Sequence, residues 1–360
     1  MDFPALFKKA VDSGASDIHL RAGRSAALRI HGSLVAQDGS PVTSEDLLSQ
    51  LPRMLPEHLR GEVNGNLTGG LDFSYTDPAA GRFRCSAFKT LGRIGMTMRT
   101  IRSIIPSLDA LHLPSSVMDI ALSQRGLTLV TGTTGSGKST TLAAMIDLIN
   151  SNYDVKVITV EDPIEFVHQD KRALINQIEI GSDCLSFDQA LRQALRQDPD
   201  VILIGELRDV ETLRMALRAA DTGHQVFATV HASRAAQTIE RIIAMFPPAE
   251  HKVLLSQLAH SLEAIISQRL VVTREGPRRP AVEILRGGPV TEKYILEGKL
   301  SELTEYLQSG QSGMQSFDQH LLEMYSQRLI AGTEALKHAN RPEALATAMR
   351  GIKYTGQGKI

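Results

Sequence analysis

One eight-residue stretch constrains this chain more than any other: Gly132-Thr-Thr-Gly-Ser-Gly-Lys-Ser139, which follows the apolar run Leu127–Thr131 and precedes a helix-forming segment beginning near Thr140. Gly132, Gly135 and Gly137 permit positive φ and close backbone approach, so that N–H groups can surround the oxygens of a phosphate at a helix N-terminus. Lys138 then contacts the β and γ phosphates of a nucleotide, and the Ser139 hydroxyl holds magnesium. The strand before the loop and the helix after it turn a string match into a site.

Three further apolar runs follow, VKVITVED, VILIGE and QVFATVH, separated by helical stretches such as VETLRMALRAADTG. Continuous Val, Ile and Leu strands alternating with helices predict a parallel sheet covered on both faces, hence an α/β domain. In such a sheet the strand C-termini share one edge, and acids placed there face the phosphate loop. A phosphate loop needs a second carboxylate to position magnesium, ordinarily an Asp at a strand end. The strand Val201–Ile204 ends instead in Gly205-Glu206. Glu206 is the carboxylate at that place, binding magnesium through water, polarising the attacking water, or both. VITVEDPIEF carries Glu161, Asp162 and Glu165, with Pro163 setting the turn. Glu161 and Glu165 are either candidates for a general base within one water of the γ phosphate or solvated acids at a strand end.

At 360 residues the chain is long for one core, and about 150 residues per domain divides it into two. From Asp17 to about Thr100 short extended pieces (SDIHLRAG, ALRIHG, LDFSYT, GRFRCSAFKT, GMTMRTI) surround one helix opened by Ser44, Glu45 and Asp46, which reads as a small α+β domain. Ahead of it Phe3, Leu6, Phe7, Ala10 and Val11 predict an amphipathic helix. The expected boundaries are 1–102 for this N-terminal domain, 103–113 for a Pro-containing linker, 114–285 for the α/β domain and 286–360 for a C-terminal helical region. Leu254, Leu258, Leu262 and Ile265 share one helical face, and Leu321, Leu322, Tyr325 and Leu329 another. The tail IKYTGQGKI is expected to fray.

Composition narrows the class. Lys and Arg number 39 against 40 Asp and Glu, so no global basic field recruits nucleic acid or an anionic membrane, and nucleic acid is not expected as a partner. A hydrophobic fraction of 42 % with 22 % charged residues matches a soluble globular protein. Cys85 and Cys184 cannot build a disulfide framework or a four-thiolate zinc site, and read as reduced thiols of a cytosolic protein. No run of about 18 uncharged apolar residues is present to span a bilayer.

His224 begins the run QVFATV and His231 ends it. An imidazole there hydrogen-bonds phosphate, relays the nucleotide state to a neighbouring subunit, or serves the structure alone. Arg82 and Arg84 alternate on one strand, with Arg99 and Arg102 near the last strand of the first domain. They are either a solvated face or guanidinium groups that neutralise charge developing on a γ phosphate.

GTTGSGKSTTLAAM, VEDPIEFVH, LRQDPDVILIGELRD (Leu195–Asp209) and TGHQVFATVHAS resemble, in order and spacing, the Walker A, Asp box, Walker B and His box of the type II and type IV pilus secretion ATPases, in which Gly-Glu replaces Asp-Glu. ASDIHLRAG and GRFRCSAF resemble the PAS-like N-terminal domain of the twitching-motility ATPases, the PilT/PilU family, so the resemblance covers essentially the whole chain. Assembly ATPases of the superfamily carry a longer N-terminal region and often a four-cysteine zinc element. This chain begins at the PAS-like domain and has 2 cysteines, which favours the retraction branch.

The resemblance implies a RecA-like P-loop ATPase domain with a smaller α+β PAS-like domain, using ATP and Mg2+. It implies a cytoplasmic homohexameric ring, peripheral to the inner face of the cytoplasmic membrane and docked on the platform protein of a pilus machine. A paralogous pilus motor is a further partner, and ATP turnover drives pilus retraction and twitching motility. By the same resemblance Gly132, Thr133, Thr134, Gly135, Ser136, Gly137, Lys138, Ser139 and Thr140 bind ATP, Glu161 and Glu165 lie in the Asp box, and Glu206 is the Walker B acid. His224 and His231 lie beside the nucleotide, while Arg84 and Arg99, with Arg82 nearby, reach an ATP site from the N-terminal domain.

One stretch departs from the pattern. PilT proteins typically carry AIRNLIRE after the sheet, and the aligned residues here read VTEKYILE, Val290–Glu297, with Glu292 in the place of the motif's Arg. The later SGMQSFDQHLLEMYSQRLI and EALKHA resemble PilU more than PilT. Three roles follow: a retraction motor, a PilU-like accessory subunit with weak activity alone, or a related conjugation or type IV secretion ATPase.

Overall fold

The structure, a computed structural model, describes residues 1–65, 67, 69–101 and 104–351. Expectations for Arg102, Ser103 and the tail Ile352–Ile360 fall outside the described residues. Two units partition the chain: Met1–Ile104 with Pro163–Val167 and Glu179–Leu185, and Ile105–Asp162 with His168–Ile178 and Ser186–Ile360.

In the first unit α1 (Phe3–Asp12) starts where the Asp2 carboxylate accepts a hydrogen bond from the Ala5 amide. Phe3, Leu6, Phe7 and Ala10 are buried as their spacing predicts, whereas Val11 is exposed at the edge of the stripe. The strands β1 (Asp17–Arg21), β2 (Ala27–Ile30), β3 (Ser33–Ala36), β4 (Leu71–Asp77), β5 (Gly81–Thr90) and β6 (Arg93–Thr100) form a six-stranded sheet in the order β3-β2-β1-β6-β5-β4. Every neighbouring pair is antiparallel. Alternate residues Phe83, Cys85 and Ala87 of β5 enter the core, which puts Arg82 and Arg84 together on the opposite face. The Phe7 ring lies 5.4 Å from Phe83 and so fixes α1 to the sheet. A capping box between Thr43 and Asp46 opens α2 (Ser44–Met54), whose Leu47, Leu51 and Met54 join the same core.

The second unit runs α3 (Ser115–Ala121), β7 (Gly126–Thr131), α4 (Lys138–Asn152), β8 (Lys156–Glu161), β9 (Leu174–Glu179, its last residue in the first unit), α5 (Phe187–Ala194), β10 (Val201–Ile204), α6 (Val210–Asp221), β11 (Gln225–Val230) and α7 (Ala235–Ala244). It continues through α8 (His251–Ser261), β12 (Leu262–Val272), β13 (Arg278–Arg286), α9 (Pro289–Leu296), α10 (Leu300–Gln308), α11 (Phe317–Ser326), α12 (Gly332–His338) and α13 (Pro342–Met349). The seven-stranded sheet has the order β13-β12-β7-β11-β10-β8-β9. The apolar runs read as strands are β7, β8, β10 and β11, paired in parallel and buried at their centres, as an α/β fold requires.

Three features differ from the sequence reading. Leu262 and Ile265 are not helical: α8 ends at Ser261, and the apolar, β-branched run that follows is β12, parallel to β7 and antiparallel to β13. The helical spacing is real for Leu254 and Leu258 of α8 and only its continuation to Leu262 and Ile265 is fortuitous, because a short apolar run fits either period. The segment expected as a linker is packed, with Leu108 buried and Ile105, Leu111 and Leu113 against the core of the second unit. The C-terminal helices share a core with the sheet as well: Phe317, Leu321, Met324, Ala335 and Leu345 pack with Val271 of β12 and Ala281 of β13. Among the described residues no helix is long and apolar enough to cross a membrane.

Candidate active site

The loop after β7 has the shape its glycines require. Gly132, Gly135 and Gly137 have φ of +149°, +77° and +92°, and Gly137 is the N-cap of α4 with no side-chain cap on the helix amides. A Cβ on Gly132 would collide with Ser136 and lie 2.5 Å from the Gln268 carbonyl oxygen, so only glycine closes the turn. Lys138 is buried, its Nζ donating to the carbonyls of Gly132 (3.0 Å) and Thr133 (3.2 Å), which draws the ammonium over the loop. Thr133, Thr134 and Gly135 are exposed, while Ser139 and Thr140 are half-buried in the first turn of α4. Ser136 Oγ is buried without a hydrogen-bond partner among the described residues. Uncapped amides, an ammonium and an unmatched hydroxyl suit an anion of several oxygens.

Two residues that the sequence reading did not single out hold this loop from β12. Gln268 is buried, donating from Nε2 to the Ser136 carbonyl (2.8 Å) and accepting at Oε1 from Thr141 (2.8 Å); Thr131 donates to Ser267 at 2.9 Å. The available signal was the polar pair Ser267-Gln268 inside the apolar run AIISQRLVV, which helical spacing had obscured.

Parallel pairing brings the ends of β7, β8, β10 and β11 to one edge: Thr131 opposes Val230, and Ile204 opposes both Ala228 and Val160. There Glu206 Oε1 lies 3.2 Å from His231 Nε2, and Oε2 accepts from Arg208 at 2.8 Å. Arg208 also stands 3.5 Å from Asp162, and its hydrogen bond to Glu206 raises its pKa. Glu161, at the end of β8, is half-buried and accepts from Thr159 (2.8 Å) and Gln177 (3.2 Å). Gly205 has a steric reason: its amide donates to the Val160 carbonyl at 2.7 Å, and a Cβ there would lie 3.2 Å from Glu161 Cα and 3.3 Å from that carbonyl oxygen. The usual Asp would need the β8 backbone to give by a few tenths of an ångström.

His224 is not at this edge. Its carbonyl accepts from the Gly126 amide where β7 begins, and its Nδ1 lies 2.9 Å from the Ala219 carbonyl oxygen near the C-terminus of α6. The six residues of β11 separate it from His231, about 20 Å at the usual strand rise. Within one chain it serves the turn from α6 into β11.

Glu161 and Glu165 belong to different units, since Pro163–Val167 folds with the first. Glu165 is exposed there, between the buried Ile164 and Phe166. Arg84 and Arg99 are direct cross-strand partners on β5 and β6, both exposed. Arg99 Nε donates to Asp17 at 3.0 Å. Burial raises the pKa of Asp17, but Ser16 and Arg99 more than offset this and hold it below the ordinary carboxylate value. Arg82 has a partner of its own, Glu179, at 3.0 Å.

Residues 78–286 match the family described as Type II/IV secretion system protein. The chain is 45 % identical over 321 residues to a twitching motility protein of Neisseria gonorrhoeae, covering 89 % of this chain and 85 % of that one. It is 39 % identical to the type IV pilus ATPase PilU of Pseudomonas aeruginosa, over 94 % of this chain and 89 % of the relative. A crystal structure of the pilus retraction motor PilT with bound ADP superposes with a TM-score of 0.87 at 40 % identity, covering 95 % of this chain and 98 % of that one. The phosphate loop, the Gly-Glu strand end and these likenesses agree: the chain belongs to the type II/IV secretion ATPase family, in its PilT/PilU branch of twitching-motility ATPases.

Proposed function

We propose that this chain is the subunit of an ATP-driven homohexameric motor that retracts type IV pili, working at the cytoplasmic face of the membrane against a pilus platform protein. The observation that carries the reading is the phosphate loop, with Lys138 over it and Glu206 and His231 at the same sheet edge. Loop amides and Lys138 bind the ATP phosphates, and Glu206 stands on the magnesium side. Mg2+ fits the oxygen donors Ser139 and Glu206, and when bound it supplies charge neutralisation across the phosphates. Glu161 or Glu165 orients the attacking water, and the exposed pair Arg84 and Arg99 supplies guanidinium charge for the γ phosphate. Loss of that phosphate removes what the arginines hold, and a ring turns the release into movement.

Lys138→Ala tests the reading. ATPase activity should vanish with the fold intact, and a strain lacking its own retraction motor should regain twitching with the wild-type chain only. Hydrolysis near the wild-type rate in that variant would overturn the site. One observation favours a second reading, a PilU-like accessory subunit: Glu292 of α9 stands where PilT proteins carry Arg, and it lies 3.2 Å from His260. Normal ATP binding with negligible turnover by the purified chain would support that role.

A further inference from the structure

We infer that the Arg82–Glu179 ion pair is a positioning device for the Asp box, fixing Pro163–Val167, and with it Glu165, to the N-terminal antiparallel sheet. The inference rests on the ATPase reading above. Glu179 is 2 % exposed; its Oε2 accepts from the Ile164 amide at 2.9 Å and from Arg82 at 3.0 Å, and its Oε1 from Ser182 at 3.2 Å. Arg82 also donates to Thr76 at 3.3 Å across the β4–β5 pair. One carboxylate thus ties a strand of the sheet, the loop after β8 and the turn after β9 together.

Such a pair adds little stability over apolar residues of the same volume, but it fixes geometry, because the buried Glu179 carboxylate left alone is strongly unfavourable, while Arg82 keeps 21 % of its side chain exposed. Burial raises the Glu179 pKa, yet its hydrogen bonds and the Arg82 charge more than offset this, keeping the carboxylate ionised. Ile164 and Phe166 are buried on either side, so the loop presents Glu165 outward in one register. Glu161 ends a strand of the parallel sheet and belongs to the other unit. The two candidate acids are therefore carried by different sheets, and the ion pair fixes where the second stands. Arg82 acts as a positioning residue, through Glu179, and not on phosphate.

The test compares Glu179→Gln, Arg82→Met and the charge-neutral double variant Arg82→Met/Glu179→Leu with the full wild-type chain, by hydrogen exchange and ATP kinetics. The double variant guards against a single variant that fails to fold around a lone buried charge. Exchange across 163–167 should quicken at least tenfold in the double variant while 156–161 is unchanged. Turnover should fall at least tenfold with KM for ATP within twofold, the double variant being no worse than either single, and Arg82→Lys should recover much of it. Wild-type turnover in Glu179→Gln would overturn the inference, as would a tenfold rise in KM. Failure of the ATPase reading shows separately, as a wild-type chain without turnover. Unchanged exchange at 163–167 overturns the inference whatever the turnover.

Discussion

Glu206 and His231 meet at 3.2 Å across the ends of two adjacent parallel strands, β10 and β11, and Arg208 holds the other carboxylate oxygen at 2.8 Å. The acid is thereby oriented from both sides by residues close to it in sequence or strand order. Glu206→Gln keeps the shape and removes the charge. ATP binding should stay within about threefold of wild type while turnover falls by about 10²- to 10³-fold, the usual scale for removing one electrostatic group from a site. Nucleotide-binding titrations beside steady-state rates measure both, and retained turnover would remove Glu206 from the chemistry.

Gln268 connects β12 to the phosphate loop through two buried hydrogen bonds. Gln268→Ala leaves the Ser136 carbonyl and the Thr141 hydroxyl without that partner, at a cost of about 1–3 kcal/mol for each buried group. Chemical denaturation should show the loss, and KM for ATP should rise about tenfold as the loop loosens, by the usual 1.4 kcal/mol per decade. A KM equal to wild type would mean that α4 alone sets the loop.

His320 of α11 is buried against β13, where its Nδ1 accepts from the Val282 amide at 3.0 Å. Burial lowers its pKa from 6.5 to about 4. The unfolded chain takes up a proton that the folded chain refuses, so this stability is complete above about pH 6.5 and is lost as pH falls toward 4. The shift corresponds to about 3 kcal/mol at most. Urea midpoints should fall between pH 7 and pH 5, and His320→Asn, which retains an acceptor near Nδ1, should flatten the slope. An unchanged slope would place the acid sensitivity elsewhere, for example at His168, whose pKa burial also lowers to about 4.

The parallel sheet and the phosphate loop were readable because their signals are local: continuous apolar strands, and glycines at positions where the backbone demands positive φ. Gly205 was visible as a departure from Asp, but the tight approach of β8, which leaves a Cβ there only 3.3 Å from the Val160 carbonyl oxygen, involves residues distant in sequence. β12 was hidden because leucines spaced for one helix face continued by chance into a strand. Arg82 and Arg84 alternate on one face as read, yet only the fold shows that one of them meets a buried carboxylate nearly 100 residues away. His224 precedes β11 and His231 follows it, so within one chain a parallel sheet holds the two at opposite edges.

The most direct measurement is ATPase activity per subunit against protein concentration, with light scattering for mass on the same samples and Lys138→Ala as the blank. A ring motor requires the rate per subunit to rise as a particle of about six chains forms, because assembly completes the sites. A monomer that hydrolyses ATP at a concentration-independent rate would contradict it.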